Sequence, residues 1–167
     1  MTIKLDPSKM IFRKINCADY IPLSIFFEEN NLSEVIRLFH PFPLNSDSAR
    51  KIACSPHKDC YYAVWLEGNI IAFSMLRGWD EGYIVPSLGM LVDHRFHNCG
   101  IGGWLLDRTI EEAAKLGCSR IRLSVYENNK PALRLYLSRG FVEISREKVS
   151  IMGRECIKIM MNKTLPG

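Results

Sequence analysis

The feature that most constrains this chain is the run over residues 91–106, LVDHRFHNCGIGGWLL, where an apolar strand-like stretch breaks into a glycine-rich turn and then a helical pattern. Glycines let the backbone pass close to a ligand, and the first turn of a helix presents amides that have no partner inside the helix. The helix dipole adds about half a positive charge at the same end, so a phosphate placed there gains hydrogen bonds and field together. A Gly-x-Gly turn also serves plain close packing of helix on strand, so its neighbours must decide between the two uses.

Upstream, residues 10–15 read as a first strand. Residues 17–30 read as a helix with Asp19 as a candidate N-cap and Pro22 close to its start. A helical region over 32–38 precedes the extended HPFPL segment at 40–44, and a short helix starts at Ser46 or Asp47. Residues 61–66 and 70–76 flank Glu67-Gly68-Asn69 as an antiparallel hairpin. After the Asp80-Glu81-Gly82 turn, residues 83–92 supply the strand that enters the glycine turn.

Downstream, Ile101, Leu105, Leu106, Ile110, Ala113 and Ala114 fall at helical spacing up to a stop at Gly117. Residues 121–125 alternate as a strand, 131–138 read as a helix ending at Gly140, and 141–150 and 156–161 pair across Met152-Gly153-Arg154. The crossover from Val92 through a helix to Ile121 forces one parallel pairing into a sheet whose other strands run antiparallel, giving a mixed α/β (α+β) architecture.

A chain of 167 residues suits a single domain over 1–167 that buries its core without disulfides or metals. Its six cysteines include no Cys-x-x-Cys pair, so reduced thiols are expected, with neither a zinc site nor a disulfide framework. His94 and His97 have no carboxylate or cysteine motif to complete a metal site, and no metal is expected. The N-terminus lacks a signal-like apolar core, and no apolar run reaches membrane-spanning length. A cytoplasmic protein with no membrane association is therefore expected. The net charge of +4 comes from dispersed basic residues, a pattern that fits a small anionic ligand rather than nucleic acid.

The deciding neighbour is the stretch VYENNKPALRLYLSRGF over 125–141. Together with residues 91–103 it resembles the GCN5-related N-acetyltransferase (GNAT) superfamily. That pattern runs strand, Arg/Gln-x-x-Gly-x-Gly/Ala, helix, strand, then Asn-x-x-Ala-x-x-x-Tyr-x-x-x-Gly-Phe. Asn129, Ala132, Tyr136, Gly140 and Phe141 are in register with it, and the departure is His97 where arginine or glutamine is usual. Arg95 could partly replace that side chain.

The resemblance implies a mixed, mostly antiparallel seven-stranded twisted sheet flanked by about four helices, with one parallel pair at splayed cofactor-binding strands. It implies acetyl-CoA as cofactor: Met90, Leu91 and Val92 pairing by backbone with the pantetheine arm, and His97, Asn98, Cys99, Gly100, Ile101, Gly102 and Gly103 around the pyrophosphate. Asn129 would bond the cofactor, and Tyr136 would protonate the departing thiolate.

The amine acceptor arrives protonated, so a base is required. The carboxylates in RGWDEGY over 77–83 are the candidates, Glu81 ahead of Asp80. Acceptor contacts are expected from Phe42, Trp79, Asp80 and Tyr83, with aromatics suited to a sugar ring and a carboxylate suited to a cationic amine. The reading is transfer of an acetyl group to a small amine, an amino sugar or nucleotide-linked amino sugar, by direct attack in a ternary complex, in a monomer or homodimer. The alternatives are a protein N-terminal or lysine acetyltransferase and a non-catalytic acyl-CoA-binding module on the same fold.

Overall fold

The computed structural model describes residues 5–167. Seven strands form one sheet in the order β1-β2-β3-β4-β5-β7-β6: β1 (Ile11–Lys14), β2 (Cys60–Leu66), β3 (Asn69–Arg77), β4 (Ser87–Val92), β5 (Arg120–Tyr126), β6 (Val142–Ile151) and β7 (Arg154–Thr164). Five helices accompany it: α1 (Tyr20–Glu29), α2 (Ser33–Ile36), α3 (Ser46–Cys54), α4 (Ile101–Lys115) and α5 (Lys130–Ser138). The mixed sheet with one parallel pair, β4 with β5, is the architecture expected from the sequence. No helix among the described residues is long and apolar enough to cross a membrane.

Alternation along the central strands explains why helices cover both faces. On β2, Tyr61, Ala63 and Trp65 face a core shared with Leu23, Phe26 and Phe27 of α1 and Ile52 of α3. The intervening Cys60, Tyr62 and Val64 face the side covered by α4 and α5. Side chains on a strand point to opposite faces in turn, so a strand covered on both sides must be largely apolar, as β2 is throughout and β3 is from Ile70 to Leu76 apart from Ser74. α4 spans two apolar clusters, with Ile101 and Leu105 against Val64 and Ala72, and Leu106 and Ala113 against Ile121 and Leu123. Beneath it the buried Thr109 hydroxyl lies 2.8 Å from that of Ser74 on β3 and bonds the Leu105 carbonyl, so this polar pair is satisfied.

Several local expectations are corrected. Asp19 holds the N-cap position of α1, as expected, but makes no side-chain cap bond to that helix. Asn16 caps a short 3-10 turn, Cys17–Asp19, and Asp19 closes the capping box by accepting from the Asn16 amide while it binds Arg13 at 2.7 Å. α1 then starts at Tyr20, with Pro22 in its first turn, where a missing N–H costs nothing. The strand expected over 83–92 begins only at Ser87, because residues 78–83 close a tight turn through Tyr83 N–H to the Gly78 carbonyl and Pro86 lacks the donor a ladder needs. Cys17 and Cys54 are joined as a disulfide that ties the 3-10 turn to the end of α3. The expectation of six reduced thiols fails at this pair, whose spacing of 37 residues carries no local signature.

Candidate active site

β4 and β5 pair at a single register point, Ser87 opposite Arg122, closed by the Arg122 amide donating to the Pro86 carbonyl at 3.0 Å. Beyond it the strands part, while β4 stays paired with β3 through Val92. The outer edge of β4 from Leu88 onward therefore faces a wedge instead of a neighbouring strand. Exposed strand groups of this kind accept an extended ligand as an added strand. The side chains of the expected pantetheine strand are spent on packing: Leu91 is buried on the α1 side, and Met90 and Val92 lie partly buried on the α4 side. What they can offer a cofactor is backbone.

Val92 leads through Asp93 and a 3-10 turn, His94–Phe96, into the loop that starts α4. Asn98 and Gly100 adopt left-handed backbone, φ +59° and +80°, and Gly100 is the α4 N-cap with no side-chain cap bond. The first internal helix bond here is Trp104 N–H to the Gly100 carbonyl, which leaves the Ile101, Gly102 and Gly103 amides in the first turn as an anion cradle. The three residues differ above that cradle. The Ile101 side chain is buried in the core, Gly102 leaves ordinary contact distance to Leu135 and Met90, and Gly103 makes room for the Arg139 guanidinium, which pairs with Asp107. Gly103 thus serves helix packing as well as the turn.

His97 and Asn98 are exposed in this loop, and the Cys99 thiol lies 3.5 Å from the His97 carbonyl. Arg95, the expected partial replacement for the usual arginine, is committed to acidic partners. Its guanidinium is held by Asp93 and by Glu29 of α1, each at 2.7 Å. Asp93 is fully buried, and burial alone would raise its carboxyl. The Arg95 side-chain and amide bonds outweigh that and hold it below the usual carboxylate range. Asn30, at the end of α1, accepts from the His94 amide at 3.0 Å, so the loop is braced from beneath by α1.

Across the wedge, Asn129 caps α5 by position only, and its side chain makes no cap bond. Tyr136 is buried against Phe141, ring centroids 5.8 Å apart, and burial pushes its phenol up to about 12. These residues, with the cradle and the β4 edge, fit an extended thioester cofactor with a pyrophosphate: uncapped helix amides for the anion, unpaired strand groups for the arm, and a neutral phenol for the sulfur end.

The expected acceptor residues do not gather in one place. Phe42 is partly buried, packed on the α1-side core at 5.5 Å from Phe27 and 6.1 Å from Phe73 between ring centroids, with the Arg77 guanidinium carbon 5.7 Å from its ring. Trp79 lines a separate cavity with Cys118 and packs on the α4 side. Asp80 accepts from the Lys58 and Asp59 amides at 2.8 and 3.1 Å, bonds that hold its carboxyl low, so its oxygens serve the turn. The buried Asp59 in turn accepts from the Gly78 and Trp79 amides. Tyr83 is half-exposed and stacks on Arg122, whose guanidinium carbon lies 4.6 Å from the ring centroid.

Glu81 alone of that group opens into a cavity of about 390 Å³ on the sheet face that carries α1. Strand register builds that face: Arg77 lies opposite Ser87, Ser87 opposite Arg122, and Tyr126 opposite Lys158, so alternate residues of four strands share it. Residues 38–41 form its rim, where His40 Nε2 lies 2.8 Å from the Tyr126 hydroxyl. His40 Nδ1 is 2.8 Å from the Ile36 carbonyl, which can only accept, so in the neutral ring Nδ1 carries the proton and Tyr126 donates to Nε2. The sequence singled out none of Arg77, Arg122, Tyr126 and Lys158. A signal was present in the polar positions 122, 124 and 126, which alternate with apolar Ile121, Leu123 and Val125.

Residues 26–141 match the acetyltransferase (GNAT) family. The spermine/spermidine N(1)-acetyltransferase of Bacillus subtilis (strain 168) is 30% identical over 117 residues, covering 60% of this chain and 77% of that protein. Human N-acetylaspartate synthetase is 30% identical over 110 residues, 65% of this chain and 36% of the other. The yncA protein of Salmonella typhimurium, solved with its cofactor acetyl-CoA, superposes with a TM-score of 0.77 at 19% identity over 95% of each chain. With its splayed β4 and β5, its helix-capping glycine turn and these matches, the chain belongs to the GNAT family and is an acetyl-CoA-dependent N-acetyltransferase.

Proposed function

We propose that the acceptor is a small molecule whose primary amine enters the cavity beside Glu81, and that the acetyl group passes to that amine directly while both substrates are bound. The observation that carries this reading is that β4 borders both halves. Its outer edge faces the wedge, and Ser87, Leu88 and Gly89 also line the cavity. A cavity of about 390 Å³ holds a small molecule rather than a protein segment. Both relatives above are named for small amines or their acetylated product, a polyamine in one case and N-acetylaspartate in the other.

Acetyl-CoA supplies the acetyl group as a thioester. The uncapped amides of Ile101, Gly102 and Gly103 hold the pyrophosphate, and the β4 edge aligns the arm. Glu81 Oε1, 3.9 Å from Arg77 Nη2 and open to solvent, takes the ammonium proton directly or through one water, which frees the lone pair for attack. Burial pushes the Tyr136 phenol up to about 12, so it stands neutral at the sulfur end and passes its proton to the departing thiolate as the C–S bond breaks.

Thermal-shift titration with acetyl-CoA, followed by thiol-release assays over an amine panel, tests the function. A stabilised chain that turns over no amine refutes it. For Glu81, the acidic limb of the kcat/KM profile should flatten in Glu81→Gln with activity down about tenfold or more, and an unaltered profile would remove Glu81 from the proton path.

A further inference from the structure

The charges facing the acceptor cavity are mostly positive. Arg77, Arg122 and Lys158 line it together, against a single carboxylate, Glu81. Arg77 is partly balanced by Asp59 and Glu81, each 3.9 Å away, although its buried Nε has no hydrogen-bond partner. Arg122 and Lys158 are the surplus. Among the described residues no ion pair engages either one, and Glu147, which lies opposite Lys158 across β6 and β7, forms none with it. Arg122 is held in place by stacking on Tyr83, which orients the guanidinium without neutralising it. These two half-buried cations lie on adjoining strands but flank the cavity: Arg122 shares a row with Arg77 and Ser87 and stacks on Tyr83 in the turn that carries Glu81, whereas Lys158 sits opposite Tyr126, further along β5, so uncompensated positive charge reaches along the cavity.

Resting on the small-amine reading above, we infer that the acceptor is an amine that also carries an anionic group, a carboxylate or a phosphate, with the anion drawn to the unpaired cations that flank the cavity, Arg122 and Lys158, and the ammonium directed to Glu81. Such a molecule complements a lining of three cations and one carboxylate. A polyamine does not, because every further ammonium group would face Arg122 or Lys158. The planar fork of Arg122 suits bidentate binding of either anion, and Lys158 adds a point charge. The same charges reject neutral amines less severely, by leaving the cations unpaired instead of repelled.

The test uses matched acceptors that differ in the anion: aspartate against its diamide, glucosamine 6-phosphate against glucosamine, and spermidine as the polycation. The expected result is at least a tenfold higher kcat/KM for one anionic member over its neutral partner, and no useful turnover of spermidine. Preference within the aspartate pair or the glucosamine pair identifies the anion as carboxylate or phosphate. Arg122→Gln and Lys158→Gln should each raise the acceptor KM about 10–100-fold, with kcat changed by less than about threefold and the acetyl-CoA thermal shift retained, which shows that the variants fold. Lys158→Glu should move the preference toward spermidine. Neutral or polycationic amines acetylated as well as the anionic ones would overturn the anionic subsite alone. No turnover of any of these amines would overturn the small-amine reading along with it.

Discussion

The wedge and the cavity lie on either side of β4 and are built from different materials. The wedge offers backbone: the β4 edge past Ser87, and amides of residues 101–103 at the head of a 15-residue helix. The cavity offers side chains, from Arg77 on β3, Arg122 and Tyr126 on β5, and Lys158 on β7. Backbone sites tolerate most sequence change outside their glycines and suit a ligand that every member of a family shares. Side-chain sites change with single substitutions and suit whatever acceptor a given member has taken on.

Tyr136 stands between the two, and the largest expected effect tests whether it belongs to the chemistry or to the packing. Tyr136→Phe keeps the ring beside Phe141 and removes only the hydroxyl, so kcat should fall about a hundredfold while acetyl-CoA affinity and Tm hold. Because burial pushes the phenol up to about 12, the neutral form persists across the working range, and no loss of activity below that pH should trace to Tyr136. A fall in Tm with unchanged kcat would make it a core aromatic and leave the wedge with backbone alone.

The same division explains what could be read in the sequence. Glycines at 100 and 102 and the Asn129–Tyr136–Phe141 spacing are local patterns, so the glycine turn and the parallel crossover follow from residues close together in the chain, and the splayed strands from the family resemblance that those residues carry. The cavity is assembled by register between strands tens of residues apart, and spacing alone cannot reveal that position 77 meets 87, or 126 meets 158. The aromatic and acidic turn over 77–83 looked like a binding loop because its composition is that of one. Asp80 instead locks the turn by accepting two backbone amides, and Trp79 packs on the far face. The disulfide was invisible for the same reason as the cavity: residues 17 and 54 meet only once α1 and α3 have packed.

The backbone cradle is not self-supporting, and Arg95→Met should expose that. The substitution leaves the buried Asp93 carboxylate with the backbone amide of residue 95 at 2.9 Å, Asn30 Nδ2 at 3.5 Å and His94 Nδ1 at 3.7 Å, and it releases Glu29. A buried charge stripped of its main partner costs about 2 kcal/mol, seen as a lower Tm and a raised KM for acetyl-CoA. In the parent protein the depressed Asp93 carboxyl contributes stability that is present above the unfolded carboxylate value, near 3.9, and is lost as pH falls through the lower folded value. Without Arg95, burial dominates and raises that carboxyl, so acid unfolding followed by circular dichroism should begin at higher pH. An unmoved acid midpoint would mean that the loop stands without its brace.

The smallest expected effect isolates the cradle itself. Gly100 and Gly68 share nearly the same left-handed backbone, φ +80° and +82°, and an added Cβ meets nothing within 4 Å at either. Alanine at either position therefore costs about 1 kcal/mol of backbone strain and nothing in packing. Gly68 turns the β2–β3 hairpin, whereas Gly100 starts α4. The two variants should lose stability equally, and only Gly100→Ala should weaken acetyl-CoA binding, by several-fold, because relief of strain at its φ tilts the amides of residues 101–103. Calorimetric titration of both reads the difference directly. Equal affinity in the two would place the pyrophosphate contacts on the side chains of the 97–99 loop, with His97 foremost among them, and the contrast between a backbone wedge and a side-chain cavity would fail at its first example.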